Sequence, residues 1–328
     1  MFGVADPREQ AMYIKFWGTR GSIPTATTAD SIRQKIRRAL EGAAGLDLSD
    51  EATLNRYLER LPPAVQGTVG GNTPCIEIQS GDQVLIIDAG SGLRLLGLDL
   101  MEQGFAQGQH HASFLITHTH WDHIQGWPFF RPAFIPHNRF TFYSPFTDLE
   151  ERLQRQQHPD FFPVPVSYMS ATLEFERIAE NSWHQIGNFR VYPIRLSHPG
   201  VTYGYRIEDG RHAIVCATDS EYKRVDPKST EKYVEFFKQA DLLIFDAQYN
   251  LTEVLDKPDW GHSTPMMGAE LAYRAQVKRL ALFHHDPTSS DEKIWGGREQ
   301  AEAYLSRRHP GYAGCEIFVA TDGLELEL

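Results

Sequence analysis

The stretch Phe114–Trp127, FLITHTHWDHIQGW, decides how this chain is read. It opens on a short apolar run, Phe114–Ile116, of the kind that forms a buried strand. Four metal-binding side chains follow: His118, His120, Asp122 and His123. Imidazole and carboxylate make a borderline donor set suited to zinc and neighbouring divalent metals. Residues two apart in extended chain project to the same side, so His118 and His120 act together. A turn then carries Asp122 and His123 to a second position nearby. One loop therefore offers two ligands to each of two adjacent ions, and completes neither.

Working outward, the missing ligands stand in matching contexts. His198 follows the apolar run Arg190–Ile194, Asp219 follows His212–Cys216, and His284 follows Arg279–Phe283. His284 is preferred over His285 because it comes first after its run. A carboxylate can bridge two cations with its two oxygens. The expected centre thus has His118, His120 and His198 on one ion, Asp122, His123 and His284 on the other, and Asp219 between them.

Other runs of the same type are Tyr13–Trp17, Cys75–Ile78, Val84–Ile87, Leu242–Phe245 and Cys315–Val319. Between the runs lie helical patterns. Ile32, Ile36 and Leu40 repeat at helical spacing, as do Leu54, Leu58 and Leu61, which predicts a helical hairpin inserted at about 28–62. Further helices are expected over 147–157, 229–239, 265–275 and 298–308. Strands and helices mix without strict alternation, which points to a layered α/β protein. No Pro/Gly/Ser-rich linker divides the chain, so 1–328 is read as one domain.

Composition narrows the function classes. Lys plus Arg is 32 against 43 Asp plus Glu, a net charge of −11, which repels nucleic-acid phosphates overall and argues against general nucleic-acid binding. No stretch approaches the ~20 continuous apolar residues of a membrane helix. The start, MFGVADPREQAMYIKF, lacks a basic segment followed by an apolar one, so a cytoplasmic protein without signal peptide is expected. Cys75, Cys216 and Cys315 are odd in number and far apart, and read as free thiols.

HTHWDH resembles the HxHxDH signature of the metallo-β-lactamase superfamily of hydrolases. VLIIDAGSG, carrying Asp88, is similar to the superfamily's first motif, and His198, Asp219 and His284 fall in the order of its later metal-binding motifs. The resemblance covers about residues 13–325 and implies a four-layer αββα sandwich with two metals at the edge of its sheets. Gly261–Thr264, GHST, together with WGTRGSIP at Trp17–Pro24 and GGNTPC at Gly70–Cys75, looks most like the tRNase Z and PhnP-type phosphodiesterases. In those enzymes the histidine of the GHST-like segment is assigned to catalysis, which makes His262 the candidate acid for the leaving group. The long Gly/Pro-rich arm of tRNase Z has no counterpart, since Phe146–Ser170 is short and reads as helical. A small substrate is therefore expected, such as a cyclic nucleotide or cyclic ribose phosphate. The resemblance also implies a homodimer.

The remaining expectations concern supporting roles. Two divalent ions are expected, zinc first and manganese or iron next. The attacking hydroxide would sit near Asp122 and Asp219. Asp88 and Asp246 are expected to orient ligands by hydrogen bonding. Arg20 and Arg131 are candidates for phosphate contact. Trp121, Trp127, Phe129 and Phe130 are candidates to line the approach, and Tyr203 and Tyr205 to reach it. The alternative function is metal-dependent hydrolysis of a lactone, thioester or β-lactam. A less favoured one is a metal-binding sensor without turnover.

Overall fold

A computed structural model describes residues 11–222 and 226–328. The expectation of a missing signal peptide rests mostly on residues 1–10, which lie outside the described residues. The strands, in chain order, are β1 (Met12–Gly18), β2 (Cys75–Ser80), β3 (Gln83–Ile87), β4 (His111–Leu115), β5 (Arg139–Ser144), β6 (Thr172–Arg177), β7 (His184–Ile186), β8 (Phe189–Arg195), β9 (Tyr203–Glu208), β10 (Ala213–Ala217), β11 (Leu242–Asp246), β12 (Arg279–Phe283), β13 (Glu316–Val319) and β14 (Glu325–Glu327). The α-helices are α1 (Ala29–Gly42), α2 (Glu51–Arg60), α3 (Pro63–Gln66), α4 (Leu93–Glu102), α5 (Trp121–Ile124), α6 (Leu149–Gln156), α7 (Pro227–Phe237), α8 (Leu251–Asp256), α9 (Pro265–Ala275) and α10 (Asp291–Arg308).

Among the described residues the strands form two seven-stranded sheets, ordered β14-β1-β2-β3-β4-β5-β6 and β13-β12-β11-β10-β9-β8-β7. In the first, β3 to β6 run parallel and the remaining pairs are antiparallel. In the second, β10 to β13 run parallel, with antiparallel pairs on the other side. Flanking helices cover the outer faces, giving the αββα sandwich.

Residue alternation explains the layering. Ile214 and Cys216 of β10 join the core shared with the first sheet, while Val215 and Ala217 join a second core with α7 and α9. All five β10 residues are buried because both faces are covered. The parallel strands therefore end in the same crevice, where α/β sheets place ligands. Asp88 follows β3, His118 follows β4, Asp219 follows β10, and His284 follows β12. Asp88, Asp219 and His284 have φ of 60°, 55° and 58°, left-handed backbone that non-glycine residues adopt sparingly. Such conformations persist where the surroundings over-determine them.

Several expectations change. Strands β5, β6, β7, β9 and β14 were not expected, because short runs interrupted by charge, such as TLEFER, lack a continuous apolar signal. Helix α10 starts at Asp291, well before 298, since Ser290 caps it by accepting from the Lys293 amide. Between 146 and 170 the α-helix is confined to α6, and Val166–Tyr168 forms a 3₁₀ turn. Helices α1 and α2 form as expected but bury no side chain. Polar contacts hold α1: Lys35 pairs with Asp291 and donates to the Ala64 and Gly67 carbonyls, and Arg38 pairs with Glu292, while Tyr57 of α2 donates to the Ala39 carbonyl of α1. Cys75 and Cys216 are buried free thiols, while Cys315 is partly exposed. Among the described residues no helix is long and apolar enough to cross a membrane.

Candidate metal centre

The HTHWDH segment leaves β4 in extended chain and turns into α5, which brings its four donors to one crevice. Strand β9 fixes it from the second sheet, with the Tyr203 amide donating to the Thr117 carbonyl at 2.9 Å. The structure brings all seven expected ligands together. On one side stand His118, His120 and His198; His198 Nε2 lies 3.2 Å from His120 Nδ1. On the other stand Asp122, His123 and His284, with the two imidazole Nε2 atoms 3.3 Å apart and Asp122 Oδ2 at 3.4 and 3.2 Å from them. Asp219 sits between. Its Oδ1 is 3.8 Å from His118 Nε2, 3.9 Å from His198 Nε2 and 3.4 Å from His284 Nε2, and its Oδ2 is 3.2 Å from His123 Nε2.

The fit to cations follows from where the outer nitrogens are spent. His123 Nδ1 donates to Asp88 Oδ2 at 2.7 Å, His284 Nδ1 to Gln248 Oε1 at 2.8 Å, and His198 Nδ1 to the Gly261 carbonyl at 2.9 Å. Each acceptor fixes the proton on Nδ1, so each Nε2 lone pair faces inward. His118 Nε2 is buried with no hydrogen-bond partner. Converging lone pairs and buried carboxylates repel one another unless a cation or proton lies among them. These donors suit divalent metals.

The electrostatics agree. Burial alone would push Asp219 up, but His284, His123 and His118 outweigh it and hold the carboxyl well below its usual range. Asp122 is likewise held low, by His123 and His284 against burial. Burial drives His118 down strongly, and lowers His120 and His198. For His123 and His284, burial is overcome by Asp219, Asp122 and the other neighbouring carboxylates, which raise both imidazoles; these carboxylates call for positive charge at Nε2, which a bound cation supplies in place of a proton.

Asp88 and Asp246 take orienting positions. Asp88 Oδ1 accepts from the Thr117 amide at 2.8 Å, besides holding His123. Asp246 Oδ2 accepts from His262 Nδ1 at 2.8 Å and from the Asp219 amide at 3.1 Å, and its Oδ1 accepts from the amides of Gln248 and Ser263. His262 is therefore turned toward the cup, its ring centroid 5.3 Å from His198 and 5.0 Å from His284. The cap of α9 is Thr264, whose side chain accepts from the Met267 amide.

Three expected substrate contacts are corrected. Arg20 is buried, and its guanidinium donates to the carbonyls of Gly70, Asp286 and Ser289; it clips the glycine-rich opening to the loop after β12. Trp127 is fully buried, stacked with Phe130 and edge-on to Phe114. Tyr205 is fully buried and donates to the Ile116 carbonyl at 2.6 Å, because alternate β9 residues face the inter-sheet core. Tyr203 shares that face, and Phe130 is buried, whereas Trp121 and Phe129 are exposed.

Other residues of the site went unnoticed in the sequence. The Ser22 amide donates to Asp122 Oδ2 at 2.7 Å. Gln248 stands two residues past Asp246, a spacing that could have flagged it. The Gly261 carbonyl is backbone, and no residue type announces it. Glycine is required there: φ is +82°, and a Cβ would fall 2.2 Å from His198 Nδ1. A Cβ on Gly21 would similarly meet the His284 ring at 2.4 Å.

Comparison with known proteins agrees with this geometry. The model of the beta-lactamase superfamily domain matches residues 84–285. A ribonuclease Z of Streptococcus agalactiae serotype Ia is 24% identical over 252 residues, covering 59% of this chain and 77% of its own. The probable metallo-hydrolase YhfI of Bacillus subtilis is 25% identical over 220 residues, 63% of this chain and 77% of its own. The crystal structure of YhfI superposes with a TM-score of 0.63 at 18% identity, over 97% of this chain and 99% of that one. A diphosphatase of the PhnP family superposes with a TM-score of 0.60 at 18% identity, over 97% of each chain.

Proposed function

Because this chain belongs to the beta-lactamase superfamily and is a metal-dependent hydrolase, we propose that its cup seats two divalent cations and hydrolyses small phosphodiesters. His118, His120 and His198 would hold one cation, Asp122, His123 and His284 the other, with Asp219 shared. Zinc suits these donors best, with manganese and iron next. Such a pair of ions supplies an ionised water near neutral pH and positive charge against the phosphate oxygens.

The observation that carries the reading is His262. It lies beside the cup yet is left over once each cation has its set, and Asp246 fixes its ring through Nδ1. A fixed imidazole so placed can give the proton on Nε2 to a departing alkoxide. The water oxygen bonds to phosphorus, the bond from phosphorus to the leaving oxygen breaks, and that oxygen takes the His262 proton. Asp122 and Asp219, at the centre of the cup, orient the attacking water. Of the proteins named above, the ribonuclease Z supports phosphodiester chemistry, and the diphosphatase shares the fold. The net charge of −11 favours a small anion over a polyanion.

The test is turnover of bis-p-nitrophenyl phosphate by protein loaded with zinc or manganese. Activity that disappears in His120→Ala is the expected result. Turnover confined to p-nitrophenyl acetate or a lactone would replace this reading with carbonyl hydrolysis.

A further inference from the structure

His262 borders a second enclosure besides the metal cup. A cavity of about 340 Å³ has His262, Ser263 and Thr264 in its wall. Leu251, Val254 and Leu255 of α8, Pro258 just beyond, and Met267 of α9 give it apolar walls, and Glu221, Tyr222 and Asp259 complete the lining. Leu251 and Leu255 are 54% and 77% exposed, although a surface leucine gains nothing from water. Among the described residues, the charges lining the cavity are those of Glu221 and Asp259, both negative. The cavity is anchored to the metal site. The Glu221 amide donates to the Ser197 carbonyl at 2.7 Å, one residue before His198, and Glu221 Oε1 accepts from the Asp259 amide at 3.3 Å.

We infer that this cavity is the leaving-group subsite, and that the alcohol it accepts is uncharged and largely apolar. The inference deepens the phosphodiesterase reading and rests on it. A group that gives its proton to the departing oxygen must touch that oxygen, so the rest of the alcohol lies where His262 meets free space. The described free space there has the size of an aromatic or sugar ring and apolar walls. A leaving group carrying a carboxylate or a further phosphate would lose water against leucine and methionine, which disfavours it. An aryl or nucleoside-like alcohol enters without that loss. The substrate class is then a phosphodiester whose departing side ends the molecule, rather than an internal bond of a nucleic-acid strand.

The experiment uses two chromogenic diesters that share a methyl group on the retained side: methyl 4-nitrophenyl phosphate and methyl 3-carboxy-4-nitrophenyl phosphate. We expect Leu255→Lys to raise kcat/KM for the carboxylated diester relative to the neutral one by about tenfold or more, with metal content unchanged. Comparing variant with wild type cancels the different acidities of the two phenols. A second readout needs no turnover: free 4-nitrophenol should shift the ¹³C-methyl resonance of Met267 in the full-length protein, and 5-hydroxy-2-nitrobenzoate should not. A normal wild-type rate, with an unmoved ratio in Leu255→Lys and a silent Met267, removes the subsite and leaves the phosphodiesterase reading standing. Absence of phosphodiester turnover by the loaded wild type removes that reading, and the leaving-group assignment with it.

Discussion

The first sheet contributes its four donors from a single loop, His118 to His123, whereas the second contributes His198, Asp219 and His284 from three separate strand ends. The difference separates two ways of building a site. The loop carries its own geometry, because extended chain and one turn of α5 set the relative positions of its side chains. The strand ends have no local relation to each other; only the sheet register and the orienting groups, Gln248 and the Gly261 carbonyl, aim them. The second half of the cup should therefore be the more sensitive to changes outside the ligands themselves.

The largest effect should come from the one residue that joins both halves. Asp219→Ala should lower metal content at both positions and cut phosphodiester kcat/KM by about 10³-fold or more, read by elemental analysis and steady-state rates. Equal loss from a change of the Thr119 side chain, which lies in the loop but bonds Arg152 rather than the cup, would dissolve the distinction between the halves.

Next in size is the pair of glycine tests. Gly261→Ala should displace His198, and Gly21→Ala should displace His284, each weakening one cation by about 10–100-fold on titration with zinc. If both variants bind two ions with unchanged affinity, the second half is not held by its surroundings as described. His262→Ala sharpens the contrast from another side: metal content should stay intact while kcat falls about 10²-fold. An unchanged kcat would take His262 out of the chemistry.

Stability effects should be smaller. Lys35→Ala removes the partly buried contact that ties α1 to Asp291, and should cost about 1–3 kcal/mol in denaturant unfolding. Ile36→Ser, on the exposed face of the same helix, should change stability by no more than about 0.5 kcal/mol. A reversed order would mean that the apolar stripe, rather than the ion pairs, holds the hairpin.

A pH-dependent effect separates His285 from its neighbour His284. Burial pushes His285 down to about 4, with its Nε2 donating to the Ala320 carbonyl. Below the ordinary imidazole value near 6.5 the unfolded chain takes up a proton that the folded chain refuses until about pH 4. Its contribution is complete above that upper value and is lost as pH falls through the window, by about 1.4 kcal/mol per pH unit for one proton. In His285→Gln the acid slope of stability should become shallower by that amount; an unaltered slope would show that His285 titrates normally.

Much of this was legible in residue order. His118, His120, Asp122 and His123 could be read together because they are near neighbours in the chain, although Ser22, Asp88 and β9 hold the loop in place. His198, Asp219 and His284 could be found because each is among the first polar groups past an apolar run. Trp121 and Trp127 could not be told apart, since a 3₁₀ turn at 127–129 buries one while α5 exposes the other. Tyr205 was misplaced because β9 was not recognised as a strand, and its alternation decides which side chains face inward.

By itself, the sequence determined the donor chemistry, the order of the ligands and the layered α/β class, because these depend on residue type and short-range periodicity. Tertiary structure alone decided which imidazole nitrogens face the cup, which aromatic rings are open to solvent, and that His262 borders an apolar cavity. Those facts arise from contacts between segments far apart in the chain, where packing and burial, rather than neighbouring residues, set the geometry.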